Sequence, residues 1–161
     1  MSMQYAIFQH DTCALFGVMR LVGEDGTLSA LDFAVEQAVV QSNEVWMQHA
    51  VAWLSAYCAG DAMPITPVMQ PYGSAFQRRV WEALQQIPYG ETRTYAELAR
   101  HVGSSARAVG GALRANPLPI FIPCHRVVAA TGLGGYAGAS ELGQKRKRWL
   151  LAHEATHSSM A

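Results

Sequence analysis

The apolar positions open in two short extended runs, residues 4–9 (QYAIFQ) and 14–22 (ALFGVMRLV), with a polar turn between them. GEDGT, residues 23–27, reads as a second turn by its glycines and acids. From Ser29 to about Ala59 the apolar residues recur at helical spacing, and QSNE (41–44) divides the stretch into two helices. Asn43 stands where a cap for the second helix belongs, and Gly60 ends it. DAMPITPVMQPYG (61–73) then sets three prolines within eight residues, which suits neither a helix nor a central strand. It reads as a linker.

Beyond it the period is helical again. In SAFQRRVWEALQQIPYG, Ser74 can cap, Phe76, Val80, Trp81, Leu84 and Ile87 form an apolar stripe, and PYG stops the helix. ETRTYAELARHVG carries Thr94 and Glu97 at capping-box spacing. SSARAVGGALRAN follows after a tight turn at Gly103, so two short helices meet as a helix-turn-helix. IFIPC (120–124) reads as extended, VV (127–128) as a short strand, and TGLGGYAGAS as a glycine-rich loop. A last helix over LGQKRKRWLLAHEA leaves THSSMA as a loose tail. The pattern gives an α/β domain with linker over 1–70 and a mostly helical domain over 71–161.

Composition sharpens that division. The chain has 161 residues and a net charge of zero. Residues 1–70 nevertheless carry one base, Arg20, against seven acids, whereas 71–161 carry eleven bases against five acids. Ten of the twelve bases are arginine, whose guanidinium matches phosphate oxygens in bidentate geometry; a basic, Arg-rich half fits a polyanion partner. No apolar run is long enough to span a membrane, and MSMQYAIFQHD lacks the basic-then-apolar order of a signal peptide. The expectation is a soluble cytoplasmic protein.

The cysteines are Cys13, Cys58 and Cys124. An odd number with no close pair argues against a disulfide framework and suits a reducing compartment. Cys13 and Cys58 lie in apolar surroundings and read as inert core. No CxxC pair occurs, and neither metal nor cofactor is expected. Cys124 differs because His125 is its neighbour in NPLPIFIPCHRVVAATG. An unperturbed thiol is only a few per cent thiolate at neutral pH, so a nucleophilic cysteine needs a base, and the base needs an orienting carboxylate. Among the carboxylates of the basic half, Glu154 follows the apolar WLLAH and would be partly buried. The dipeptide alone leaves two readings open, a nucleophile or a cysteine that fills core.

Four segments in order, FQRRVWEALQQIPYGETRTYAELA, SARAVGGALRANP, IPCHRV and KRWLLAHE, resemble the O6-alkylguanine-DNA alkyltransferases, also called methylated-DNA–protein-cysteine methyltransferases. The resemblance covers about residues 74–154. It implies a ribonuclease H-like α/β N-terminal domain and a C-terminal domain with a winged-helix-like helix-turn-helix. It implies that Cys124 takes the alkyl group from O6 of guanine, with O4-alkylthymine as a further substrate, and keeps it, so each molecule acts once. His125 would be the base through a water, Glu154 would hold its tautomer, Asn116 would brace the cysteine segment, and Tyr95 would protonate the base. Thr94, Tyr95, Arg107, Arg114 and Gln77 would contact double-stranded DNA in its minor groove, Arg107 filling the gap left by a flipped nucleotide. Pro123, Val127, Tyr136, Ala137 and Lys147 would line the pocket. The protein would act as a monomer, without a membrane. The alternative is a relative that binds alkylguanine without repairing it. The chain departs from the family's pattern in the turn around 103–105 and the loop over 132–146.

Overall fold

The computed structural model describes residues 2–36, 40–134 and 140–158. The chain forms two compact units, Met1–Tyr72 and Gly73–Ser159.

The first unit is an antiparallel meander of β1 (Gln4–Phe8), β2 (Met19–Glu24) and β3 (Thr27–Asp32), in that order, with helix α1 (Val45–Ala59). Its turn decides the topology. Asp25 and Gly26 both take positive φ, 51° and 80°, as a two-residue hairpin with strand-matching twist requires. The chain must therefore return as a strand, which corrects the helix expected from Ser29: residues 29–32 belong to β3, and Ser29 Oγ donates to Val22 O at 3.2 Å. The expected strand over 14–22 is likewise displaced to Met19–Glu24, because Asp11–Phe16 coil into a 3-10 turn. The N-cap of α1 is Glu44, not Asn43; Ser42 Oγ accepts from Glu44 N just before it. Gln41 Oε1 accepts from Ile7 N and its Nε2 donates to Ile7 O, so one side chain pairs the open edge of β1. The proline-rich segment pairs as well, Leu28 N donating to Val68 O and Gln70 N to Leu28 O.

Cys13 and Cys58 form a disulfide, with Cα atoms 5.9 Å apart across 45 residues of sequence. This corrects the reading of both as unpaired core thiols. The 3-10 turn and the last turn of α1 bring them together from positions that linear spacing does not relate.

The second unit begins with α2 (Ala75–Leu84), started by a reciprocal box between Ser74 and Gln77. Val80, Trp81 and Leu84 face its core, and Trp81 Nε1 donates to Ala112 O at 2.8 Å. β4 (Arg93–Thr94) runs into α3 (Tyr95–Val102), which Thr94 and Glu97 cap by the same reciprocal box. After Gly103 comes α4 (Ala106–Arg114), capped by Ser105, which completes the helix-turn-helix. β4 pairs in parallel with β5 (Val127–Val128), Arg93 opposite Val127 and Thr94 opposite Val128. That small ladder sets the start of α3 beside the chain that has just passed Cys124. Helix α5 (Glu141–His157) closes the unit and runs through Thr156 and His157, two residues expected in the loose tail.

IFIPC is not extended. Ile120 has φ 74°, Ile122 N donates back to Leu118 O at 2.8 Å, and the segment turns. Asn116 is the physical cause: its Oδ1 accepts from Leu118 N at 3.0 Å and its Nδ2 donates to Ile122 O at 2.8 Å, clasping both ends of the turn. A β-branched residue at positive φ is strained, and the clasp together with burial of the Ile120 side chain holds it.

Candidate active site

Cys124 opens a single 3-10 turn, Cys124–Arg126, between the clasped loop and β5. It is the free cysteine among the described residues and is buried. Burial pushes its thiol above the ordinary value, while the Asn116 side chain and the charge of Lys147 act in the opposite direction. The resting sulfur is thus a thiol: burial opposes its ionisation, and Asn116 and Lys147 offset that only in part.

His125 is wholly buried, and its Nε2 lies 2.6 Å from Glu154 Oε2. Its other ring nitrogen, Nδ1, has no hydrogen-bond partner among the described residues. Buried polar nitrogens seldom stay unpaired, so Nδ1 is the point of the ring open to a further group. Glu154 comes from α5 and is equally buried. Burial alone would raise its carboxyl, but His125 and Arg126 together overcome this and hold it well below the usual carboxylate range. Burial likewise pushes His125 below the ordinary imidazole value, against the pull of Glu154. The ring is neutral and the carboxylate ionised at neutral pH.

Arg126 joins this pair without having been singled out in the sequence. Its Nε donates to Glu154 Oε1 at 2.8 Å, its Nη2 to Oε2 at 3.0 Å, and its Nη1 to Ile87 O at 2.7 Å. The backbone N–H of Gly90 adds a fourth donor to the carboxylate, 3.2 Å from Oε1. Gly90 has φ 82°, and a Cβ there would stand 2.7 Å from the Ser158 Cβ, so a side chain would push PYG away from α5. The signal for Arg126 was present in IPCHRV, an arginine directly following the Cys-His pair.

Lys147, also from α5, is fully buried; its Nζ donates to Val127 O at 2.6 Å and lies 5.8 Å from the centre of the Tyr95 ring. Burial lowers its ammonium to about 8, opposed by Cys124. Tyr95 begins α3, half-buried, and a Cβ on Gly134 would come within 2.8 Å of its ring, so Gly134 lies flush on it. Pro123 and Val127 are buried on either side of the 3-10 turn. Tyr136 and Ala137 lie outside the described residues.

The other singled-out residues lie on α2, β4 and α4, Thr94 directly before Tyr95 and paired with Val128. Thr94 and Gln77 are both engaged in helix caps. Arg107 is exposed in the first turn of α4 and Arg114 at its end. Helix α5 also carries His153-Glu154-x-x-His157, a zinc-protease spacing. Here Glu154 is turned to His125 and Arg126, His153 is stacked on Trp149, and no three His, Cys, Asp or Glu among the described residues gather to hold a metal.

The family described as "6-O-methylguanine DNA methyltransferase, DNA binding domain" matches residues 75–156. The Methylated-DNA--protein-cysteine methyltransferase of Mycolicibacterium paratuberculosis is 45% identical over 151 residues, covering 88% of each chain. That of Methanosarcina acetivorans is 37% identical across 96% of this chain and 99% of its own. The crystal structure of Mycobacterium tuberculosis OGT in complex with DNA superposes with a TM-score of 0.78 at 37% identity, over 96% of this chain and 94% of that one. With the match spanning both units and the free cysteine beside its histidine and glutamate, the chain belongs to the methylated-DNA–protein-cysteine methyltransferase family.

Proposed function

We propose that this protein repairs DNA by moving the alkyl group of O6-alkylguanine, and of O4-alkylthymine, onto Cys124. The observation that carries the reading is His125, held by Glu154 through Nε2 and with no partner for Nδ1 among the described residues, next in the chain to a free cysteine. A water on Nδ1 relays the thiol proton to His125. The Cys124 sulfur then attacks the alkyl carbon, the carbon–O6 bond breaks, and a thioether forms. The electrons of that bond return to the guanine, which takes a proton at N3 from Tyr95. The thioether offers no leaving group, so each molecule reacts once.

Asn116 keeps the cysteine turn in register, and Lys147 supplies positive charge as the thiolate forms. Pro123, Val127, Tyr136 and Ala137 border the extruded base with Lys147. A base inside a duplex must be turned out before its O6 substituent can be reached, at a cost of a few kcal/mol. Arg107 offsets part of that cost by filling the vacated stack from the minor groove, and Thr94, Gln77 and Arg114 contact the backbone. Unit 1 is the ribonuclease H-like support, unit 2 the winged-helix-like domain, and the protein works as a monomer on cytoplasmic DNA.

The test is mass spectrometry of the protein after mixing with a duplex containing O6-methylguanine. One methyl on Cys124, saturating at one equivalent, is expected, and Cys124→Ala should lose all transfer while still binding DNA. Tight binding without a mass change would replace this reading with that of a non-catalytic lesion binder. Arg107→Ala should slow repair of a paired lesion more than reaction with the free base.

A further inference from the structure

Glu154 is a buried anion with more donors than a histidine prop needs. Four N–H groups converge on its two oxygens, from His125, from two nitrogens of Arg126 and from Gly90, which fills the acceptor capacity of a carboxylate. Two arrangements could neutralise that anion: an imidazolium at His125, or the guanidinium. Either balances one charge, but only the second leaves a lone pair on Nδ1.

Arg126 is built into the position of counter-ion. It is buried, forks onto both carboxylate oxygens, anchors its third nitrogen on Ile87 O, and lies 5.6 Å above the Tyr89 ring. Fork-to-carboxylate geometry is the strong form of this interaction. We propose that Arg126 is a positioning residue that neutralises Glu154 so that His125 stays uncharged and able to accept a proton. The inference rests on the alkyl-transfer reading for its use, though not for its measurement.

The charged groups acting on His125 are Arg126 on its own segment and Glu154 and Lys147 on α5; Tyr89, from the turn after α2, lies against Arg126 instead. Lys147 carries a positive charge as well, but its ammonium is bonded to Val127 O, not to the carboxylate. Arg126 is therefore the cation that decides. Remove it, and the buried carboxylate is left with the imidazole as the nearest group that can take up a proton. Nδ1 is then protonated, and the base is lost.

The experiment follows the His125 ring by NMR against pH in the DNA-free protein, with the single-turnover rate of methyl transfer measured in parallel. In the unaltered protein His125 should remain neutral at pH 7 and below the ordinary imidazole range; a protonated ring there overturns the proposal with no variant needed. In Arg126→Gln, which keeps a donor but loses the charge, His125 should take up its proton at higher pH. The transfer rate should then fall on the order of tenfold between about pH 8.5 and pH 6. Arg126→Lys, which restores the charge without the fork, should return both profiles toward the unaltered protein. A His125 titration that does not move in Arg126→Gln, or moves equally in Arg126→Lys, overturns the charge-balancing role. Because the ring is observed without DNA, absence of methyl transfer would be seen separately and would count against the proposed function instead.

Discussion

Among described polar side chains, the unit Met1–Tyr72 buries only Ser29 and Ser42, whereas Gly73–Ser159 buries His125, Arg126, Lys147, His153 and Glu154. The two serines make local bonds that any small fold needs: Ser29 Oγ to Val22 O, and Glu44 N to Ser42 Oγ. The five groups of the second unit are another matter, because each buried ion costs several kcal/mol before its partners are counted. Well-packed apolar residues would often serve stability as well or better. Such a cluster therefore marks where this fold gives up stability for chemistry. The first unit combines an apolar core with a covalent cross-link and, among the described residues, buries no charged side chain.

Three variants would break or sharpen this contrast. Glu154→Ala has the largest expected effect, about 3–5 kcal/mol lost in denaturant unfolding, because Arg126 would be left buried and unpaired. A loss under about 1 kcal/mol would mean that water reaches the cluster. The acid dependence follows the same groups. Glu154 is held below its ordinary 4.5, so its contribution is full above that value and declines as pH falls beneath it. His125 is held below its ordinary 6.5, so folding begins to weaken as pH drops under that value, where the unfolded ring takes up a proton. Stability curves of Glu154→Ala should lack the lower of these two declines.

Next comes the double change Cys13→Ser with Cys58→Ser. Opening a 45-residue loop should cost about 2–4 kcal/mol, and a dithiol reductant should have the same effect on the unaltered protein. Methyl transfer below the melting transition should be untouched, since no group of the Cys124 cluster lies in that unit; a slower transfer would show that the contrast between the units is overdrawn. The smallest effect is that of Ser105→Ala, which removes the side-chain cap of α4 and should cost about 1 kcal/mol. Ser105→Gly should recover most of it, as measured by thermal unfolding.

Legibility followed the same boundary. In the second unit the caps at Ser74 and Thr94 and the stripe of Val80, Trp81 and Leu84 are local signals, and α2 and α3 appear where they point. The site was half legible. Cys124, His125 and Glu154 could be singled out as residue types, but the fork of Arg126 and the N–H of Gly90 depend on α5 meeting the PYG turn, which no linear spacing encodes. In the first unit a long-range choice overrode a local one. Residues after Ser29 have helical periodicity, yet the positive φ at Asp25 and Gly26 commits them to a hairpin. The pairing of Cys13 with Cys58 is similarly a product of tertiary approach.

The clasp at Asn116 has a consequence for how the protein ages. Asparagine deteriorates when the next residue's amide nitrogen attacks its side-chain carbonyl and closes a succinimide ring, releasing ammonia. Here the next residue is Pro117, which has no backbone N–H to lose and cannot complete that ring closure. The amide that keeps the cysteine turn folded is thus shielded from spontaneous deamidation by its neighbour.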